Sequence, residues 1–186
     1  MKLQLSKRTG DKKSEVKQLR REGLIPGVVY SKGEASRSTA VQASEFKAAL
    51  RNLTPGRLST TIFTLVDEDG KEVKAIVKDI QYKVTNYDIL HLDFEELVPK
   101  SKINVKVPIE CIGQMECVGI KLGGVLRQVI RYARVSCFPD DMPAFFELDV
   151  RDLSMRQYKK LADLQLPETL KALDDPNQVV AVIVKR

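Results

Sequence analysis

The chain has 186 residues, 43% hydrophobic and 30% charged, enough apolar material for packed cores and a composition that argues against disorder. Its net charge of +6 and pI of about 9.2 favour nucleic acid or an anionic surface as partner. No apolar run reaches membrane-spanning length and no apolar signal segment accompanies the basic start; three cysteines, none in a CxxC pair, argue for reduced cytosolic thiols and against a zinc site.

In chain order, residues 2–7 alternate, with Leu3 and Leu5 on one side, and predict an edge strand. Residues 12–22 predict a helix capped by Gly23 and kept from restarting by Pro26. Up to Arg21 there are eight Lys or Arg against Asp11 and Glu15, so this opening alone carries the net charge of the whole protein. On the helix, Lys13, Lys17, Arg20 and Arg21 share a face, while Val16 and Leu19 lie on another and are expected to dock on a core. The pattern is an electrostatic footprint for a polyanion, with an ordinary solvated basic surface as the bland alternative.

Ile25-Pro26-Gly27 is expected to turn before Val28, Val29 and Tyr30 extend. An exposed loop follows at 31–38, then a short strand at 39–42 and a helix capped by Ser44. Residues 60–66 and 72–82 form a hairpin around Asp67-Glu68-Asp69-Gly70. A strand at 89–94 places Leu90, Leu92 and Phe94 inward and His91 beside Asp93 on the opposite face. Charges and a proline at 95–102 read as a boundary, giving domains 1–95 and 96–186. Beyond it, strands are expected at 103–111, 125–137, 145–150 and 179–185, turns at Gly119, Gly123 and Gly124, and a short helix at 153–161. The fold class is mainly β with short helices.

His91 is the single histidine, and with Asp93 it could act as an oriented base. No G-x-S-x-G, HExxH, P-loop or G-x-G-x-x-G accompanies it, so a structural histidine is favoured over an RNA-processing enzyme. A carboxylate on a basic surface cannot hold phosphate, but it can accept hydrogen bonds from a base edge. Arg8, Lys13, Lys17 and Arg20 would position phosphates and Asp93 would read bases. Tyr30 would stack or bond a phosphate, or is an ordinary half-buried strand residue.

The segments KRTGDKKSEVKQLRREGLIPGVVY (7–30) and DIQYKVTNYDILHLDF (79–94) resemble the 5S-rRNA-binding family twenty-five of bacterial large-subunit ribosomal proteins. The segment running from VPIECIGQM to FFELDV (107–150), followed by LADLQLPE, resembles the additional C-terminal domain of its two-domain Ctc, or general stress protein, members. The resemblance implies an N-terminal β-barrel with helices, related in fold to an anticodon-binding domain of a tRNA synthetase, and a mostly β C-terminal domain. It implies docking on loop E of 5S rRNA in the central protuberance, next to neighbouring ribosomal proteins. By motif position the contacts fall on Arg8, Lys13, Arg20, Tyr30, His91 and Asp93, with Lys17, Arg21, Gln81 and Lys83 beside them. Where many members carry Q-x-H-P, this chain has Gln81-Tyr82-Lys83-Val84, so Lys83 stands in place of an imidazole. The expectation is a non-enzymatic protein of the cytoplasmic ribosome with no cofactor, metal, membrane or small-molecule substrate. The alternative is a stress protein that binds the ribosome or another RNA conditionally.

Overall fold

The computed structural model describes residues 1–8, 12–33, 35–99, 101–167 and 169–185. Thr9, Gly10 and Asp11 of the opening motif, Glu34 of the expected loop, Lys100 of the expected boundary and Glu168 of the tail motif lie outside them. The chain divides into two compact units, Met1–Ser101 and Lys102–Arg186. The expected division at 95/96 cuts through the end of a barrel strand, because Glu96 still pairs with Ala75 and Leu97 N–H still bonds Lys74 C=O.

The first unit is a closed six-stranded barrel, β1 (Lys2–Lys7), β3 (Arg37–Gln42), β2 (Leu24–Tyr30), β6 (Ile89–Glu96), β5 (Glu72–Tyr82) and β4 (Ile62–Val66) in spatial order. Parallel pairing of β1 with β4 closes it, so no sheet edge is left unpaired. Alternation directs Leu3, Leu5, Val29, Val41, Phe63, Leu65, Leu92 and Phe94 to the interior, all buried. Helix α2 (Ala43–Arg51) adds Phe46, fully buried, 6.2 Å from the Phe63 ring and edge-on to Phe94 at 6.5 Å. The β4–β5 hairpin turns where expected, with Gly70 at φ +77°.

Helix α1 (Lys13–Arg21) ends at Gly23, φ +80°, as its sequence requires. Val16 and Leu19 are half-buried, and no residue of α1 is fully buried.

Four local expectations are corrected. Pro26 and Gly27 are strand rather than turn, paired with Ala40 and Thr39 of β3. Proline is tolerated because the ladder from β2 to β6 begins only at Gly27 opposite Leu92. Strand β3 starts at Arg37, within the expected loop, and Ser31 is buried. Ser44 makes no cap; Gln42 occupies that position without a side-chain hydrogen bond. In β6 it is Ile89, not Leu90, that enters the core, because the β5–β6 register shifts between Gln81 and Tyr82.

The second unit holds two sheets. One has the order β10 (Phe146–Asp149), β7 (Ile103–Ile112), β9 (Tyr132–Cys137), β12 (Lys171–Ala172). The other is β11 (Tyr158–Lys160), β13 (Val179–Lys185), β8 (Gly124–Gln128). The single strand expected at 125–137 is therefore two, assigned to different sheets, with residues 129–131 passing between them. Val129 and Ile130 N–H both meet Val180 C=O at this crossing. The helix expected at 153–161 is absent: a turn with Arg156 at φ +65° leads into β11, whose partner β13 supplies hydrogen bonds that a local helix would forgo. A short helix α3 (Val118–Lys121) was not foreseen. Gly119 lies within it rather than in a turn, and its glycine is required by close packing: a Cβ there would sit 2.9 Å from both Ile183 and the Leu153 carbonyl. Gly123, at φ +87°, is the turn.

Candidate nucleic-acid interface

Two adjoining surfaces of the barrel unit gather most of the expected residues. The first is a groove of about 650 Å³ beside α1. Lys17, Arg20 and Arg21 line one side, Lys47 of α2 and Lys83 after β5 the other, with Leu24, Ile25, Ile89 and Leu90 at the floor. Five cations face one carboxylate there, Asp88, and Asp88 is held by Lys47 at 3.3 Å. Arg20 anchors the helix by donating to the Leu90 carbonyl at 2.9 Å, so it fixes α1 against the start of β6 as well as adding charge. Lys13 lies one helical turn before Lys17, exposed and outside the groove's lining.

The second surface is the outer face of β2, β6 and β5. Register and alternation put Val28, Asp93 and Asp79 in one row, and His91 opposite Gln81 in the next. The β5 irregularity between Val77 and Asp79 makes Lys78 an extra residue, and it brings Asp79 to the same face as Asp93. His91 Nδ1 lies 2.6 Å from Asp93 Oδ1. A carboxylate can only accept, so Nδ1 carries the hydrogen and Nε2 is left for a partner. The Asp93 side chain is one-third exposed. Its second oxygen has no hydrogen bond among the described residues.

Tyr30 is half-buried on β2, level with Glu95 on β6. Burial first, and then the negative charges of Glu95, Asp93 and Asp79, push its phenol up to about 12. It is therefore a neutral O–H donor at any physiological pH. Arg8 continues the Asp93 row on the far side: its N–H bonds the Ser38 carbonyl, its guanidinium lies 3.5 Å from Ser38 Oγ, and Ser38 pairs with Val28. Three strand spacings, roughly 14 Å, separate Arg8 from Asp93. Arg8 also borders a separate cleft with Arg37 and Asp67.

Sequence reading placed Asp93 on a basic surface. The structure corrects this: Asp93 sits directly across from Asp79 and near Glu95, and the Lys78 ammonium lies 2.7 Å from Glu95. Cations and carboxylates are thus segregated into a groove and a strip, which suits a ligand carrying phosphate along one edge and hydrogen-bond donors along the other. Lys47, Asp79 and Glu95 were missed. Alternation from Gln81 would have found Asp79 only with the irregularity at Lys78 known. Nothing in the local pattern of α2 foretells that Lys47 lines the same groove as Lys83. Among the described residues no cluster of His, Cys, Asp and Glu could hold a metal ion.

Two family models match the chain. Residues 3–94 match the ribosomal L25p family, and residues 102–186 match the C-terminal domain of ribosomal protein TL5. Among similar proteins, those of Chlamydia muridarum and Chlamydia pneumoniae are each 47% identical over 186 residues, and that of Chlamydia abortus 48%; each alignment covers all of both chains. All three carry the description large ribosomal subunit protein bL25.

Proposed function

The chain belongs to the bL25 family of large-subunit ribosomal proteins, and from that premise we propose that it is a structural, non-catalytic part of the large ribosomal subunit whose barrel unit binds 5S rRNA in the central protuberance. The supporting observation is the abutment of the five-cation groove on the Tyr30–His91–Asp93 strip. Lys17, Arg21, Lys47 and Lys83 hold phosphates as point charges or forks, with Lys13 extending the row along α1. Arg20 positions the helix and adds charge. The Tyr30 O–H donates to a phosphate or ribose oxygen. The free Nε2 of His91 addresses a 2′-hydroxyl, and the open oxygen of Asp93 accepts from a base amino or imino group. Gln81, opposite His91, adds an amide to the same edge, and Arg8 meets the backbone farther along the row.

The test is a titration of the protein against 5S rRNA, with tRNA as control at the same moderate salt. Selective binding to 5S rRNA supports the reading. Equal, weak and salt-sensitive binding to both would reduce the groove to a nonspecific patch.

A further inference from the structure

The second unit carries its own cationic, aromatic surface, the outer face of β7, β9 and β12. Alternation puts Lys106 and Asn104 of β7, Tyr132 and Arg134 of β9, and Lys171 of β12 on this face. Lys106 and Arg134 are directly opposed, two like charges in a position that costs a sheet stability unless something answers them. Lys106 Nζ lies over the Tyr132 ring at 5.5 Å, and Lys102 Nζ over the Phe138 ring at 5.4 Å. Tyr132 is 49% exposed.

Lys106, Arg131, Tyr132 and Arg134 line an open cleft of about 500 Å³ whose one carboxylate is Asp174. That carboxylate is already committed: its side chain is 10% exposed and takes the Arg134 guanidinium at 2.6 and 2.7 Å and the Arg134 N–H at 2.8 Å. It fixes Arg134 in place and leaves no acid free in the cleft. Lys106 and Arg131 have no carboxylate partner among the described residues.

From this we infer that the cleft between Lys106, Arg131 and Arg134 is a second RNA-binding site, which takes a phosphate between the three cations and stacks a base on Tyr132. An acidic protein segment would satisfy the charges but would have no use for an exposed ring beneath a displaceable ammonium, which is what a nucleobase needs. The site does not depend on the barrel's ligand being 5S rRNA.

The experiment uses the full chain with the first groove and the adjoining α1 row quieted by Lys13→Gln, Lys17→Gln and Lys83→Gln. Binding of a short mixed-sequence single-stranded RNA is measured across a salt series, with polyglutamate as competitor. Adding Lys106→Gln and Arg131→Gln should flatten the slope of log affinity against log salt by about 1.4, a loss of about 25-fold at 0.1 M relative to 1 M salt. Lys106→Arg should restore part of it. Tyr132→Ala should weaken binding about fivefold or more with the slope unchanged. Both neutralised side chains are exposed, so the variant should melt as the parent does. An unchanged slope overturns the inference. So does polyglutamate competing as well as RNA while Tyr132→Ala is silent, which would assign the cleft to an acidic protein. Failure of 5S rRNA selectivity in the unaltered chain would bear on the barrel alone.

Discussion

Gly27→Ala probes the seam on which the proposed RNA face is built. A Cβ at this position would lie 2.9 Å from the Leu92 carbonyl oxygen and 3.5 Å from Leu92 Cβ. The obstacle is backbone, so no rotamer change relieves it. The β2–β6 strands must part by some tenths of an ångström at the first rung of their ladder, with Leu92 fully buried behind it. Overpacking of this kind costs about 1–3 kcal/mol. For a unit of this size each kcal/mol lowers the melting temperature by about 4–8 °C, so a fall of roughly 5–20 °C is expected. Scanning calorimetry on the full chain reads it, with the transition of the second unit as internal control. The same seam sets the spacing of Val28 and Tyr30 from Asp93 and Glu95, so 5S rRNA affinity below the melting range should drop as well. A variant that melts within a degree of the parent would refute the close approach and the reason given for a glycine here.

Phe46→Ala empties the space between Phe63 and Phe94 and should cost about 3–5 kcal/mol, enough to leave the barrel unit marginal in a urea titration. The Tyr30 phenol has a folded value above its unfolded one, so its contribution to stability is intact below pH 10 and is lost as pH rises through about 12. Absorbance titration should show one tyrosine ionising late, and Tyr30→Phe should remove it. Asp93→Ala should weaken cognate RNA by about 1–3 kcal/mol and relax base preference; unchanged binding would disprove base reading by this carboxylate. Lys17→Gln should weaken all RNAs alike and flatten the salt slope by roughly one unit in a filter-binding series.

Local elements were legible where one physical cause acts over a few residues. Alternation set out β1, and the left-handed requirement at Gly23 and Gly70 set the end of α1 and the β4–β5 turn. The family resemblance was carried by the two motifs that hold Arg8 to Tyr30 and Gln81 to Asp93, together with the matching segment at 107–150 and the LADLQLPE tail. The Pro-Gly pair misled because propensity reads it as a turn, while β3 and β6 offer it strand partners. Residues 125–137 misled because apolar periodicity is blind to which sheet receives a strand. At Leu90 the period was right, but a register shift moved Ile89 inward instead.

By itself the sequence determined the charge at the amino-terminal end, the mainly β character, the His91–Asp93 adjacency and the family. These depend on composition, on residues within a turn or two of one another and, for the family, on contiguous sequence motifs. The tertiary structure decided what those residues face. Parallel closure of β1 on β4 made a barrel, and barrel closure carried Lys47 and Lys83 to α1. An extra residue at Lys78 turned Asp79 towards Asp93. In the second unit, strand pairing set Lys106 against Arg134 and bound Asp174 to one of them. Such meetings join residues 14 or more positions apart, through ladder hydrogen bonds and core packing whose register no local periodicity encodes.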